Sequence, residues 1–228
     1  MAERREAAEA VTELSLDPAR TALLVVDMQN DFCAPGGFFD GAGHDIGPCT
    51  ALVQHIAQLA ADVRAAGALV AYTMTVRTEP QKQRLRPKRH PVAADGAAPA
   101  TRGSDRYLPG AWGTAITDEL APTEQDLVVE KPRQSGFYRT TLQEDLAHSG
   151  IDTLAIAGVT TNCCIDTTAR DAFMRDLDVI VLSDAVAAFG QERHLHDSTL
   201  ENLALFFGVV ATSDDFLRGL HPDRKEHA

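Results

Sequence analysis

The sequence predicts a single-domain, doubly wound α/β protein in three layers, with helices on both faces of a mostly parallel sheet of about six strands. Short apolar runs rich in β-branched residues recur along the chain, and runs with helical periodicity separate them. The chain has 228 residues, 44% of them hydrophobic, which is enough for one substantial core. We expect the domain over 19–220, an N-terminal extension over 1–18 and a C-terminal tail over 221–228.

The first elements form a predicted β-α-β unit. The run TALLVVD (21–27) is apolar throughout, as in a strand that is buried on both faces. Apolar residues at helical spacing then predict a helix over 48–66, which Gly67 ends. The run ALVAYTMTV (68–76) predicts the second strand. A strand, a helix and a second strand in this order indicate parallel pairing.

The segment 77–113 predicts a long functional loop, because it has five prolines and little periodicity. Its basic run (82–89) favours a solvated loop face, and the alternative is a site for an anionic group of the substrate. Beyond the loop, apolar runs predict further strands at 126–131, 152–158, 177–185 and 208–212. Helices are predicted between them at 140–148, 162–176 and 192–207.

Composition argues against several kinds of partner. Lys and Arg total 21 against 33 Asp and Glu, so the net charge of −12 opposes nucleic acid and anionic membrane surfaces. The N-terminus lacks the apolar core of a secretory signal, and no run reaches the ~20 apolar residues of a membrane span. We expect a cytoplasmic protein. Its four cysteines, Cys33, Cys49, Cys163 and Cys164, are expected to be reduced.

Three reactive side chains are predicted at the ligand-binding edge of the sheet, beyond the carboxyl ends of the strands. Asp27 ends the first strand, Lys131 ends the strand at 126–131, and Cys164 begins the helix after the strand at 152–158. A cation and a helix N-terminus both stabilise a thiolate, and a carboxylate can move the thiol proton. Taken singly, each residue also has an ordinary structural explanation. Together they predict nucleophilic catalysis.

Three blocks of the sequence resemble the isochorismatase-like cysteine hydrolases over about residues 21–217. They are LLVVDMQNDF with PGG, then VEKPRQSGF, then AGVTTNCCIDTTARDA. The resemblance implies a catalytic triad of Asp27, Lys131 and Cys164. The family nucleophile falls on the seventh position counted from Gly158, which is Cys164 and not Cys163.

The same resemblance implies an oxyanion hole and a substrate pocket. Backbone N–H groups of Thr160 and Cys164 are expected to face the substrate carbonyl, after a cis peptide between Val159 and Thr160. The loops of the blocks carry five candidate pocket residues, for which core packing is the equal alternative for each aromatic. They are Phe32, Phe38, Gln134, Phe137 and Tyr138.

No metal and no other cofactor is expected. Some members of the family bind a metal through an Asp-x-His pair and a further His after the second strand, but the corresponding segment here reads YTMTVRTEP. His194 and His196 are two residues apart on a predicted helix, so they point to different faces and are poorly placed for shared ligation. Both are expected to be solvated surface residues.

The blocks most resemble the branch that acts on ureidoacrylate, biuret and N-carbamoyl compounds. This implies C–N hydrolysis in a small amide, carbamoyl or ureido substrate, through a thioester. The branch often has an aromatic residue at Gln134 and a polar amide near Ala188, so the exact substrate stays open. The alternatives are a larger or cyclic amide with the same triad, and a catalytically silent binding or scaffold protein. A homo-oligomer, dimer or tetramer, is expected.

Overall fold

The computed structural model describes residues 14–77 and 107–221. Six strands form one sheet in the order β3-β2-β1-β4-β5-β6, and every neighbouring pair is parallel. This confirms the predicted fold class. The strands are β1 (Thr21–Val26), β2 (Leu69–Thr75), β3 (Leu127–Lys131), β4 (Thr153–Val159), β5 (Asp178–Ala187) and β6 (Val209–Ala211).

The helices are two single turns, α1 (Asn30–Cys33) and α2 (Phe38–Gly41), and five longer elements. These are α3 (Gly47–Ala65), α4 (Leu142–His148), α5 (Asp166–Phe173), α6 (Arg193–Phe206) and α7 (Ser213–Leu220). In the part of the chain that the structure describes, no helix is long and apolar enough to span a bilayer. The basic run 82–89, with most of the predicted loop, lies outside the described residues.

Helix α7 is missing from the sequence-based prediction. Thr212 and Asp215 form a capping box, in which each side chain bonds to the backbone of the other residue. A Thr followed three residues later by an acidic side chain is a recognisable helix start, so the signal was present in the sequence. The helix buries Phe216 and Leu220 in the core.

The two faces of the sheet carry separate apolar cores. In β1, Leu23 and Val25 point to one face, and Leu24 and Val26 point to the other. Helices α3 and α7 cover the first face, and α4, α5 and α6 cover the second. Every residue of β1 is therefore buried, which explains its unbroken apolar sequence.

The strand order has its switch point between β1 and β4. From β1 the chain builds β2 and β3 on one side, and then returns to place β4, β5 and β6 on the other side. Ligands of open α/β sheets bind at the crevice that such a reversal leaves at the carboxyl ends of the strands. The fold therefore directs attention to the residues that follow β1 and β4.

Candidate active site

The structure brings Asp27, Lys131 and Cys164 together at this edge of the sheet. Asp27 directly follows β1, Lys131 is the last residue of β3, and Cys164 lies in the turn after β4. The Nζ atom of Lys131 is 2.8 Å from Oδ2 of Asp27 and 3.6 Å from Sγ of Cys164. All three side chains are buried. A carboxylate, an ammonium and a thiol thus share one water-poor site.

Asp27 leaves the strand with a left-handed backbone, at φ 53°. Its N–H still donates to the carbonyl of Thr73 in β2, at 3.0 Å, and its own carbonyl accepts from the N–H of Gln29, at 2.7 Å. Aspartate is among the few side chains that adopt this conformation readily. The chain turns away from the sheet at this residue, immediately after the strand.

Lys131 is held as a charged ammonium. Its three N–H groups have three oxygen acceptors within 3.0 Å, namely Oδ2 of Asp27, Oγ1 of Thr75 and the carbonyl of Arg133. Burial lowers the pKa of Lys131, but the Asp27 carboxylate and the Cys164 sulfur raise it more, so the net shift is upward. A positive charge therefore lies beside the sulfur.

Thr75 and Gln29 also belong to this site, and the sequence analysis missed both. The hydroxyl of Thr75, at the end of β2, donates to Oδ2 of Asp27 at 3.1 Å. The Gln29 amide binds the backbone of Thr75 on both sides, at 2.8 and 3.2 Å. The available signal was the position of Thr75 at the end of the second predicted strand, on the edge of the sheet where ligands bind.

The pKa of Cys164 is shifted in the direction opposite to the sequence-based expectation. A hydrogen bond with Cys163 and burial together hold the pKa of the Cys164 thiol well above its ordinary value, and Lys131 offsets them only in part. The sequence predicted a lowered pKa from a neighbouring cation and a helix N-terminus. That expectation was wrong because it left out burial and the adjacent thiol. A raised pKa favours the protonated thiol, from which a base must remove the proton.

The predicted helix 162–176 begins with a π-helical turn, Thr161–Ile165, before α5. The N–H of Ile165 donates to the carbonyl of Thr160, five residues back, at 3.2 Å. Such widened turns are frequent at functional sites. Cys164 lies within this turn and not in a regular helix.

Helix α6 and the turn before it hold this π-helical turn in place. The Oγ1 atom of Thr161 and Nδ1 of His196 are 2.8 Å apart, and the Asn162 amide donates to Glu192 at 2.8 Å. His196 is therefore half-buried and bonded, not a solvated surface residue, and burial lowers its pKa. His194 is exposed, as expected. Within 14–77 and 107–221 no group of residues is suited to hold a metal ion.

Gly158 allows β4 to approach β1 beside the site. It pairs with Val26 and has a φ of 112°, a conformation that side chains rarely adopt. A Cβ atom at this position would lie 2.1 Å from the carbonyl oxygen of Val26. The peptide bond between the next two residues, Val159 and Thr160, is cis.

The loop after β3 is anchored to α5, the helix that follows Cys164. The Ser135 hydroxyl donates to Asp171, and the N–H of Gly136 donates to Oγ1 of Thr168 at 3.0 Å. Thr168 is fully buried. These contacts join the second and third sequence blocks, so the segment that carries Lys131 is fixed relative to the nucleophile.

The five candidate pocket residues do not form one cluster. Phe32 and Phe137 are both buried, but they lie in the cores on opposite faces of the sheet. Phe38 is partly buried against the first core, and Gln134 and Tyr138 are exposed. Phe32 also stacks on Tyr107 at a ring-centroid distance of 5.8 Å.

Fold and site together define an α/β protein with a buried Asp–Lys–Cys cluster at the switch point of its sheet. The isochorismatase domain model matches residues 21–215 of the chain. The protein therefore belongs to the isochorismatase family.

Relatives in this family include two proteins named ureidoacrylate amidohydrolase RutB. The protein of Methylobacterium radiotolerans is 36% identical over 203 residues, which cover 87% of this chain and 78% of the relative. The protein of Azorhizobium caulinodans is 35% identical over 211 residues, which cover 90% of this chain and 92% of the relative.

Solved structures share the fold. A cysteine hydrolase from Pseudomonas syringae pv. phaseolicola has a TM-score of 0.74 and 27% identity, with coverage of 93% of this chain and 99% of that chain. N-carbamoylsarcosine amidase from Thermoplasma acidophilum has a TM-score of 0.65 and 27% identity, with coverage of 86% and 97%.

Proposed function

We propose that this protein is an amidohydrolase that cleaves a C–N bond of a small ureido, carbamoyl or amide substrate through a thioester on Cys164. One observation carries the proposal: the buried Lys131 ammonium lies 2.8 Å from the Asp27 carboxylate and 3.6 Å from the Cys164 sulfur. The reaction class is supported by relatives named as ureidoacrylate amidohydrolases and by the fold shared with an N-carbamoylsarcosine amidase.

The reaction begins with removal of the thiol proton. Oδ2 of Asp27 accepts hydrogen bonds from Lys131 and Thr75, whereas Oδ1 is buried and has no hydrogen-bond partner among the described residues. Oδ1 is thus free to take the proton from Cys164 as sulfur attacks the carbonyl carbon. The Lys131 ammonium stabilises the negative charge that develops on sulfur.

Collapse of the tetrahedral intermediate breaks the C–N bond. The N–H groups of Thr160 and Cys164 stabilise the oxyanion, an arrangement whose loss typically costs about 10²–10³ in rate for each donor. Protonated Asp27 gives its proton to the leaving nitrogen, which departs as a neutral amine or ammonia. The acyl or carbamoyl group remains on the sulfur as a thioester.

Water completes the cycle. Asp27 takes a proton from the water as it adds to the thioester carbonyl, and returns that proton to the sulfur as the C–S bond breaks. The product is an acid from an amide substrate, or a carbamate from a ureido substrate. The bonding changes involve only Cys164, Asp27, the substrate and water, and Lys131 stabilises charge, so the scheme needs no metal.

The substrate is proposed to be a ureido acid of the ureidoacrylate type, since both curated relatives above carry that name. A vinyl ether, the bond that isochorismatases proper cleave, is disfavoured because that chemistry does not need a cysteine. Lactams and other larger amides remain within reach of the same triad, and they belong in the test.

A substrate panel on pure protein tests the proposal. It includes 3-ureidoacrylate, other ureido acids, biuret, nicotinamide and lactams, with a chelator present and release of ammonia or amine as the readout. We expect turnover of a ureido compound despite the chelator. Cys164→Ala should lower kcat by roughly 10⁴-fold or more with its fold retained.

Cys163→Ala is the matched control, because it removes a thiol next in sequence to the nucleophile and should keep measurable turnover. Turnover that survives Cys164→Ala would refute the nucleophile. Failure of every amide, together with slow and unselective alkylation of Cys164, would instead favour a binding or scaffold protein.

A further inference from the structure

We propose that Thr75 is a positioning residue of this site, which directs Asp27 and Lys131 so that a single carboxylate oxygen handles the proton of the nucleophile. The inference rests on the proposed function, because it assigns Thr75 a part in the same proton transfer. Thr75 belongs to none of the three sequence blocks, and only its contacts connect it with the chemistry.

The direction of the Thr75 hydroxyl follows from its two neighbours. Lys131 Nζ is 2.9 Å from Oγ1 of Thr75, and that same oxygen is 3.1 Å from Oδ2 of Asp27. An ammonium can only donate, so the hydroxyl accepts from Lys131 and gives its one hydrogen to the carboxylate. The result is a one-way chain of hydrogen bonds from the ammonium through the hydroxyl to Oδ2.

This chain makes the two oxygens of Asp27 unequal. Oδ2 accepts from both Lys131 and Thr75, while Oδ1 has no partner among the described residues. Hydrogen bonds to a carboxylate oxygen make it a weaker base. The proton of Cys164 is therefore directed to Oδ1.

The same chain of hydrogen bonds also orients the ammonium group of Lys131. Its three N–H groups meet three oxygen acceptors within 3.0 Å, one of which is Thr75, so the fourth acceptor, the sulfur of Cys164 at 3.6 Å, receives only a long and shared N–H. Lys131 then stabilises charge and does not compete with Asp27 for the proton.

Gln29 and strand pairing fix the position of Thr75. Thr75 and Lys131 are paired in register on adjacent parallel strands. The buried Gln29 amide accepts from the Thr75 N–H at 2.8 Å, and donates to the carbonyls of Thr75 and Thr114 at 3.2 and 2.6 Å. A hydroxyl held by backbone on both sides has little freedom to turn away.

The titratable groups that face Thr75 and Asp27 come from several elements, and a pH experiment must take all of them into account. Among the described residues they are Lys131 from β3, the thiols of Cys163 and Cys164 from the π-helical turn, and the thiol of Cys33 from α1, whose pKa burial raises. A substitution at Thr75 removes none of these four groups.

The test compares Thr75→Val, which keeps the side-chain shape, with Thr75→Ser, which keeps the hydroxyl. For hydrolysis of 3-ureidoacrylate we expect Thr75→Val to lower kcat by about 10–100-fold with little change in KM, since a hydrogen bond to a charged group is lost. Thr75→Ser should restore kcat to near the wild-type value.

A second measurement needs no substrate. Iodoacetamide labels Cys164, and fragment-ion mass spectrometry distinguishes it from Cys163. In Thr75→Val the N–H of Lys131 that loses its acceptor turns to the sulfur, so the alkylation midpoint should fall to lower pH. A lower kcat at nearly constant KM together with a lower alkylation midpoint is a combination that a merely structural role would not produce.

An unchanged kcat and an unchanged alkylation midpoint in a folded Thr75→Val protein would overturn the inference. Thr75→Ser behaving like Thr75→Val would also overturn it. An active enzyme with such results leaves the proposed function intact. If wild-type protein turns over no amide, the proposed function fails. The alkylation profiles still decide whether Thr75 positions Asp27 and Lys131. Circular dichroism establishes that each variant is folded.

Discussion

Lys131 is the residue whose surroundings say most about the site. A lysine that is fully buried is rare, and one that stays charged needs partners that replace its water shell. Lys131 has a carboxylate, a hydroxyl and a carbonyl within 3.0 Å. Removing charges from water is costly, and well-packed apolar residues often serve stability equally well. The presence of this buried ion pair therefore points to chemistry, in agreement with the proposed mechanism.

The close approach of β4 to β1 at Gly158 leads to a prediction about stability. Gly158→Ala would put a Cβ atom 2.1 Å from the Val26 carbonyl oxygen on a backbone with φ of 112°, so the strand must move. We expect a loss of about 3 kcal/mol or more in the free energy of unfolding, measured by urea denaturation.

Gly150→Ala is the control for that substitution. Gly150 also has a positive φ, of 73°, but nothing lies within 4 Å of its Cβ position. It should therefore cost only the backbone strain, about 1 kcal/mol. Equal losses in the two variants would contradict the importance of close approach between β4 and β1.

At the scale of elements, long-range side-chain contacts hold α3 against the sheet. Arg64, in the last turn of α3, donates to both oxygens of Asp126 just before β3, at 3.0 and 2.7 Å, and to the Tyr72 hydroxyl in β2 at 3.0 Å. These contacts join the end of a helix to the beginning of a strand 62 residues further on. Periodicity predicted both elements but not the bond between them.

Asp126 makes stability depend on pH. Burial tends to raise the pKa of Asp126, but hydrogen bonds from Arg64 and Thr123 outweigh it and lower the pKa below its usual value. A carboxyl with a lowered folded-state pKa stabilises the fold above its unfolded pKa of about 3.9, and the contribution is lost as the pH falls through the folded value.

Asp126→Asn should accordingly lower the free energy of unfolding by about 1 kcal/mol at pH 7, a value reduced for solvent screening of Arg64. The difference from wild type should shrink as the pH falls below about 4. Urea unfolding at several pH values measures it. Asp197→Asn is the control, since Asp197 pairs at 3.5 Å with a largely exposed Arg193 and should change little. A difference that is constant with pH would contradict the assignment.

At the scale of the whole molecule, the strand order decides which residues meet. Lys131 ends β3, and β2 lies between it and β1, so a side chain of lysine length is needed to reach Asp27. Thr75 ends the strand between them and therefore contacts both. Cys164 approaches from β4, on the other side of β1. The switch point thus collects side chains from four neighbouring strands.

Self-association is expected of the whole molecule. The expected homo-oligomer stays a prediction, and large apolar side chains on the described surface agree with it: Leu205 and Phe206 of α6 are 72% and 63% exposed, and Met174 is 74% exposed. Light scattering on the purified protein should give two or four times the chain mass of 24.5 kDa. A mass of one chain would contradict the expectation.

The amino-acid pattern was sufficient to predict the fold class and the approximate strands, because strands buried on both faces must be apolar along their whole length, as β1 is. It also singled out Asp27, Lys131 and Cys164, because the blocks around them are local in the chain. Helix α7 was equally local, and its capping box was overlooked.

The folded structure was needed to reveal the contacts of Thr75, Gln29 and His196, and the upward shift in the pKa of Cys164. Each depends on partners that are distant in sequence or on the depth of burial. Hydrogen bonds form between whatever groups the strand order brings within about 3 Å, and burial sets the energy of a charge. The periodicity of a single chain segment gives neither the partners of a hydrogen bond nor the depth of burial. Both became known only from the folded molecule.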